Sequence, residues 1–254
     1  MSRNLITTSN TPKSQPSSSI SSFTMADRSG VKLLGMWASP YALRTRVALN
    51  VKSVDYEFVD ENLGAKSDLL LKSNPVHKKV PVLIHGEKIV CESLIIVQYI
   101  DETWPSAGPD SILPADPYER SVVRFWAAYL DDKCTPLLKE IQGGEAKKAA
   151  AEKLTDSLVL FEHVFEKSSA GKTFFGGDHI GYLDIALGGF LPWIKAFEIM
   201  KNVKIFDEAK IPRLVEWADA FCADEAVRDV MPETSKLVEF AKVLFARMKA
   251  AAAQ

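Results

Sequence analysis

Cysteine is scarce in this chain: only Cys91, Cys134 and Cys222 occur, and they are odd in number and far apart. This spacing gives neither a disulfide framework nor a zinc-ligand pattern, which is typical of a protein from a reducing compartment. The four histidines include no pair at metal-ligand spacing. The sequence therefore predicts no metal site.

A charge bias and long apolar runs are missing as well. With a formal net charge of −2, the chain offers no electrostatic basis for binding nucleic acid or an anionic membrane surface. No apolar run approaches the roughly 20 residues of a membrane-spanning helix. We therefore expect no nucleic acid and no membrane among the partners. The 254 residues, 47% of them hydrophobic, are typical of a globular protein of one or two domains.

The first 24 residues contain eight serines and four threonines but no acidic residue. Such a composition buries too little apolar surface to fold, so we predict a disordered extension over residues 1–29. The same composition is typical of an organelle transit peptide. We expect a cytoplasmic protein. The alternative is a plastid protein, if residues 1–24 act as a transit peptide.

Strand and helix patterns alternate between residue 31 and about residue 107. The predicted elements are a strand at 31–36, a helix at 40–52, a strand at 54–59, a short helix near 67–73, a hairpin at 80–90 and a helix at 92–103. The order βαβαββα predicts a small mixed sheet with helices on its faces, over residues 30–107.

A proline-rich stretch at 108–117 follows and is predicted to be a linker. Beyond it the sequence has only helical periodicity, at 118–141, 145–167, 182–199, 211–223 and 232–250. These segments predict an all-helical second domain over residues 118–254. The predicted fold class is thus α/β followed by all-α.

Ser39 and Pro40 follow the first predicted strand after two intervening residues, Trp37 and Ala38. Serine is a favoured N-cap and proline is favoured at the first helical position, so a helix is predicted to begin here. The hydroxyl would lie beside unpaired backbone N–H groups and the positive end of the helix dipole, where an anion such as a thiolate is stabilised. The alternative is that Ser39 is only a cap.

Three sequence blocks carry a resemblance: SPYALR at 39–44, NPVHKKVPVL at 74–83 and CESLIIVQYIDE at 91–102. Together, at this spacing, they resemble the glutathione transferases of the plant tau class, over about residues 30–250. The resemblance implies a thioredoxin-like domain followed by a helical domain. It also implies a homodimer that adds the glutathione thiolate to hydrophobic electrophiles, with organic hydroperoxide reduction as a side activity. Glutathione is then a co-substrate, and no cofactor is implied.

The resemblance assigns most of a glutathione site. It implies that Ser39 donates a hydrogen bond to the sulfur, as the catalytic residue, and that the Glu92–Ser93 pair binds the γ-glutamyl end. Glu92 alone would also suit a helix N-terminus, where acidic side chains favour the dipole. No histidine or carboxylate stands near Ser39 in sequence, so it is not expected to act as a nucleophile.

The rest of the glutathione site comes from two lysines and a proline. Lys66 and Lys79 match the lysines that bind the glycine carboxylate in the family. Pro81 would be cis, as the matching proline is, which would leave the backbone of Val80 able to pair with an extended peptide. Pro81 could also be an ordinary edge-strand proline.

The electrophile site is expected between the two domains, among apolar and aromatic residues. Tyr41 and Tyr129 are the candidates, although aromatic residues at helical spacing, including Trp37, Phe125 and Trp126, more often belong to a core. Arg44 resembles an arginine at the site entrance, with a structural salt bridge as the alternative. Asp184, three residues after Gly181, resembles a helix-capping residue and is interpreted as important for folding.

Two other functions share this scaffold: a carrier of apolar ligands without turnover, and a scaffold for protein assembly. A carrier needs no Ser39, so its presence favours the enzyme. The Glu92–Ser93 pair and the two lysines argue against the assembly role.

Overall fold

The computed structural model describes residues 30–105, 111–143 and 147–252. The predicted extension at 1–29 and part of the predicted linker at 108–117 lie outside these ranges. The described part combines a four-stranded sheet, flanked by helices, with an all-helical unit. Nowhere in these ranges is a helix both long enough and apolar enough to cross a bilayer.

The N-terminal unit has the predicted order βαβαββα. Its elements are β1 (Val31–Gly35), α1 (Pro40–Val51), β2 (Glu57–Asp60), α2 (Asp68–Ser73), β3 (Val82–His85), β4 (Lys88–Cys91) and α3 (Ser93–Thr103). The second strand was predicted at 54–59 and begins later. Val54 is not part of it because its N–H bonds to the carbonyl of Leu49 at 2.9 Å and so closes the end of α1.

The sheet order is β2-β1-β3-β4, with β1 parallel to β2 and antiparallel to β3. Successive residues of β1 point to opposite faces, as the strand period requires. Leu33 belongs to the large core that includes Val47 of α1 and Ile96 of α3. Leu34 packs on the other face with Leu70 of α2. The alternation therefore covers both faces of the sheet with helices.

The C-terminal unit consists of helices and the loops between them in the described ranges, with one isolated β-bridge between Phe174 and Gly177. Its elements are α4 (Pro117–Tyr129), a π-helical turn (Leu130–Cys134), α5 (Thr135–Gly143), α6 (Lys147–Ser168), α7 (Tyr182–Gly188), α8 (Leu191–Lys201), α9 (Pro212–Ala223), the short α10 (Glu225–Arg228) and α11 (Thr234–Ala252). Periodicity predicted single helices at 118–141 and 182–199. The structure divides both of them and adds α10.

The division between α7 and α8 has a steric cause. Gly188 lies directly against the ring of Phe221, and a Cβ on Gly189 would stand 2.7 Å from the carbonyl oxygen of Pro40. Pro192, near the start of α8, has no N–H to continue the preceding helix. The chain therefore ends one helix at a close interdomain contact and starts another.

Asp184 is fully buried in the first turn of α7 and holds the preceding loop. One carboxylate oxygen accepts from the N–H of Phe175 at 2.9 Å and from the indole of Trp217 at 2.7 Å. The other accepts from the N–H groups of Gly176 at 3.0 Å and Gly181 at 2.8 Å. Burial raises the pKa of Asp184 to about 6, and the four hydrogen bonds oppose that rise. These contacts agree with a folding role.

Candidate active site

Four chain segments that carry the predicted glutathione residues meet at one edge of the sheet. The register pairs Gly35 with Asp60, Leu34 with Val82, and Val82 with Cys91. The ends of β1, β2 and β4 and the start of β3 therefore lie at the same edge. The segments that leave or enter these strand ends carry, within six residues of them, Ser39, Lys66, Lys79, Val80, Glu92 and Ser93. The fold thus places all six candidates on segments that begin or end at the same edge.

Ser39 is the N-cap of α1 and is 7% exposed. Its hydroxyl oxygen accepts a hydrogen bond from the N–H of Ala42 at 3.2 Å. Within the described residues, no hydrogen bond uses the hydroxyl proton. This proton is therefore available to an acceptor at the helix N-terminus, where the dipole favours negative charge.

Val80 precedes a cis peptide bond to Pro81, as the resemblance implied. β3 begins two residues later, at Val82, which pairs with Cys91. The backbone of Val80 therefore lies beyond the β3–β4 ladder, at the sheet edge. An extended peptide could pair with it there.

Glu92 and Ser93 form the start of α3. Glu92 has a positive φ of 73°, 60% of its side chain is exposed, and its Oε1 lies 3.9 Å from Nε2 of His77, whose side chain is also exposed. Ser93 is buried, and its hydroxyl accepts a hydrogen bond from Nη1 of Arg44 at 3.3 Å. One residue of the pair is therefore open to a ligand, and the other is anchored to α1.

The two lysines are exposed, but the loops that carry them are fixed. The buried carboxylate of Glu61 accepts from the hydroxyl of Ser67 at 2.6 Å, which holds the loop containing Lys66. Asn74, also buried, donates from Nδ2 to the carbonyl of Lys79 at 3.0 Å. Both cationic side chains therefore extend from ordered backbone at the same edge.

Arg44 was placed near the entrance of the electrophile site, and this prediction is wrong. The side chain has no solvent exposure, so it cannot contact an incoming molecule. Its guanidinium makes a bidentate pair with Asp131 of the π-helical turn, at 3.0 and 2.7 Å, and donates from Nε to the carbonyl of Ala186 at 3.0 Å. The structural salt bridge, the alternative, describes Arg44. It joins the two units beside Ser93.

An apolar groove of about 220 Å³ lies between the two units and starts at the residue after Ser39. Its lining includes Pro40, Tyr41, Phe190, Trp193, Phe197 and Phe245. Burial, with the nearby Asp131 carboxylate, raises the pKa of Tyr41, so its hydroxyl stays protonated at neutral pH. A flat apolar molecule in this groove would lie next to the N-terminus of α1.

Tyr41 lines this groove, whereas Tyr129 is not among the residues that line it. The ring of Tyr129 packs against Trp126 at 5.4 Å and Phe161 at 6.1 Å, between α4 and α6. α4 turns this face toward the helical core, so Tyr129 and Trp126 are packing residues. Trp37 packs edge-on against Phe240 of α11, at 5.2 Å.

Comparison with known proteins agrees with this architecture. Residues 29–102 match the family model for the glutathione S-transferase N-terminal domain, and residues 123–221 match one for the C-terminal domain. Glutathione S-transferase U18 of Arabidopsis thaliana is 56% identical over 223 residues, which cover 87% of this chain and 98% of that protein. The chain belongs to the glutathione S-transferase family.

Solved structures identify the class. A tau-class glutathione S-transferase from mango is 63% identical, covers 85% of this chain and 99% of its own, and superposes with a TM-score of 0.81. A rice glutathione S-transferase solved in complex with glutathione is 34% identical, with coverages of 86% and 99% and a TM-score of 0.77. The present chain is a tau-class glutathione S-transferase.

No cysteine of this glutathione S-transferase is suited to replace Ser39. Cys91, the cysteine at the sheet edge, has its pKa raised by burial and then by the adjacent Glu92 carboxylate. Burial raises the pKa of Cys134 to about 12 and also raises the pKa of Cys222. All three thiols therefore stay protonated at neutral pH and are poor nucleophiles.

Sequence reasoning missed several residues that shape the transferase site. Asp131, Phe190, Trp193 and Phe245 lie far from the three recognised blocks and appeared only as parts of helical patterns. A buried ion-pair partner and a groove wall have the same helical spacing as ordinary core and surface residues. No signal in one sequence would have separated them.

Proposed function

We propose that this enzyme joins the sulfur of glutathione to hydrophobic electrophiles. The main support is the position of the Ser39 hydroxyl. Its proton is not used in a hydrogen bond within the described residues, it lies at a helix N-terminus, and the apolar groove begins at the next residue. The thiol loses its proton to solvent, the thiolate forms a bond to the electrophilic carbon, and the leaving group departs with its electron pair. The rice relative solved in complex with glutathione supports the choice of thiol.

The six residues at the sheet edge suit an acidic tripeptide. Val80 offers backbone groups that can pair with the extended peptide. The exposed Glu92 carboxylate can form an ion pair with the ammonium group of the tripeptide. Ser93, at the N-terminus of α3, suits a carboxylate, as helix N-termini bind anions. Lys66 and Lys79 provide positive charge for the second carboxylate.

A turnover assay with glutathione and a panel of apolar electrophiles and hydroperoxides tests the proposed function. Conjugation of at least one electrophile above the uncatalysed rate is expected. Tight binding of apolar ligands without any turnover across the panel would instead favour the carrier. Because most of the groove lining is apolar and its charged residue is Lys139, cationic electrophiles should be the poorest substrates.

Glu92→Ala and Lys79→Ala should each weaken glutathione binding by about 10- to 100-fold, because each removes a charge-assisted contact of about 1.5–3 kcal/mol. Both side chains are exposed, so the melting temperature should stay unchanged. Glu87→Ala and Lys78→Ala are matched controls on neighbouring exposed positions and should bind glutathione normally. Calorimetric titration measures the affinity. If the variants lose stability while the folded protein keeps its affinity, these residues are structural.

We further propose a twofold homodimer in which the thioredoxin-like unit of one protomer contacts the helical unit of the other. Large apolar side chains protrude from both units: Val76, Ile89 and Ile95 are 80%, 50% and 54% exposed on the first, and Tyr118 and Phe125 are 71% and 61% exposed on α4. Exposed apolar surface of this kind marks contact sites. An isologous interface would cover both sets.

Sedimentation at micromolar concentration should show a single species of twice the 28.1 kDa chain mass. An interface of standard size, about 1,200–2,000 Å², is expected. Phe125→Arg should produce monomers, because it places a charge in that interface. Ile199→Arg is the matched control: this residue is 63% exposed on α8, away from the proposed contact, and should leave the dimer intact. A wild-type species of 28.1 kDa would exclude the dimer.

We place this activity in the cytoplasm, in the removal of reactive apolar compounds under stress. The three cysteines are free thiols in the described structure, as suits a reducing compartment. Import into plastids through residues 1–24 is the alternative.

A further inference from the structure

Trp193 of α8 makes a hydrogen bond to the turn that delivers Ser39. Its indole N–H donates to the carbonyl oxygen of Ala38 at 2.7 Å, across 155 residues of sequence. Ala38 is 1% exposed, so water does not compete for this carbonyl. The contact therefore fixes the peptide group that directly precedes the serine, and it does so from the other unit of the fold.

Three further hydrogen bonds hold the turn before Ser39. The N–H of Ser39 bonds to the carbonyl of Met36 at 2.8 Å, the N–H of Trp37 donates to Asp60 at 2.9 Å, and the N–H of Ala38 donates to Sδ of Met36 at 3.3 Å. The Ala38–Ser39 peptide group is thus held at its N–H by Met36 and, in the described structure, at its carbonyl by Trp193. Rotation of the Ala38–Ser39 peptide would redirect the start of α1 and, with it, the hydroxyl of Ser39.

The ring of Trp193 has a second role, as part of the groove wall. It packs against Phe197 at 5.7 Å and Phe245 at 6.0 Å, and these rings line the groove with it. The indole N–H thus holds the serine turn, whereas the ring contributes to the groove lining. Removal of the N–H and removal of a neighbouring wall ring should therefore have different kinetic effects.

We propose that Trp193 is a positioning residue, which orients the Ser39 hydroxyl toward the sulfur by holding the Ala38 carbonyl. This proposal rests on the proposed function. The indole does not contact the reacting atoms and acts only through the turn. Its contribution should consequently appear in the ionisation of bound glutathione and in kcat, and should vanish when Ser39 has no hydroxyl.

Trp193→Phe keeps an aromatic wall and removes the N–H. We expect kcat to fall about fivefold, as one neutral hydrogen bond allows, with the KM for glutathione within about twofold of wild type. The thiol pKa of bound glutathione, followed by thiolate absorbance against pH, should rise. An unchanged titration curve would overturn the proposal.

Two single variants separate positioning from packing. Trp126→Phe removes an indole N–H that makes no hydrogen bond within the described residues, and should leave kcat and the titration curve unchanged. Phe197→Leu shortens a groove-wall side chain that packs against Trp193 but keeps the indole N–H, and it should raise the KM for the electrophile without moving the thiol pKa. If Phe197→Leu shifts the thiol pKa as much as Trp193→Phe does, then packing in the groove wall, rather than the indole N–H, determines the position of the Ser39 hydroxyl.

A double-mutant cycle with Ser39→Ala completes the test. If Trp193 acts through the hydroxyl, Trp193→Phe should have no further effect on kcat in the Ser39→Ala background. A further fivefold loss there would show that Trp193 acts by another route. If the wild-type protein shows neither a thiolate signal nor turnover, the proposed function itself is wrong. If the wild-type protein is active and the Trp193→Phe variant has the same kcat and titration curve, only the positioning role is wrong. Urea unfolding of each variant confirms that folded protein is compared.

Discussion

Ser39→Ala is expected to lower turnover at least about 100-fold while glutathione still binds. A free thiol with a pKa of about 8.5 is only about 3% ionised at neutral pH, so catalysis depends on stabilising the thiolate. The Ser39 hydroxyl accepts from the N–H of Ala42 and keeps its proton for the sulfur. Loss of one such donor to an anion costs about 10²- to 10³-fold in rate.

The pH–rate profile measures this role directly. The acid limb of kcat/KM should move to higher pH in Ser39→Ala, because the bound thiol regains a pKa closer to its free value. Ser39→Thr keeps a hydroxyl and should keep part of the activity. If the alanine variant follows the wild-type profile, the serine does not stabilise the thiolate.

Ser39 is also a helix cap, so a stability control is needed. Loss of an N-cap costs about 1 kcal/mol. Asp116→Ala is the matched control, since Asp116 caps α4 by accepting from Tyr118 and Glu119, both at 2.9 Å. It should lose similar stability and no activity.

Asp184→Ala is expected to lower the free energy of unfolding by at least about 4 kcal/mol, because it leaves four buried donors without their acceptor, each worth about 1–3 kcal/mol. The donors are three backbone N–H groups and the indole of Trp217. Since a whole domain has only about 5–15 kcal/mol of stability, much of the variant should be unfolded or insoluble. Urea unfolding followed by circular dichroism measures the loss.

Asp178→Ala is the control from the same loop. Its carboxylate pairs with Lys172 at 3.1 Å, but the two side chains are 67% and 53% exposed, and such surface pairs contribute less than about 1 kcal/mol. Asp184→Asn keeps the shape and one acceptor oxygen, so it should lie between wild type and alanine. Equal stability of the two alanine variants would show that the buried carboxylate is not needed for folding.

The sequence was most informative for candidate residues at helix starts. Ser39 precedes α1, and Glu92 and Ser93 lie at the start of α3, so the pattern of strands and helices already placed them at element boundaries. The sheet register then brought these boundaries to one edge, which local patterns alone do not reveal.

The groove and the unit junction could not be predicted in the same way. In the sequence, Arg44 has the character of an exposed residue on α1. Only the structure shows that it is buried and paired with Asp131, 87 residues away. Asp131 lies in a π-helical turn that interrupts the helix predicted at 118–141. Such turns often occur at functional sites, but periodicity alone does not reveal them.

The meeting of four segments at one sheet edge has an evolutionary consequence. The donor half of the reaction is built on strands whose pairing leaves little freedom to move, whereas the acceptor half is shaped mainly by side chains on α5, α8 and α11. Descendants of such a protein can exchange most of those helical side chains, and so the compounds they accept, without redesigning the tripeptide site. Trp193 is the exception, because the same indole lines the groove and holds the Ala38 carbonyl next to Ser39.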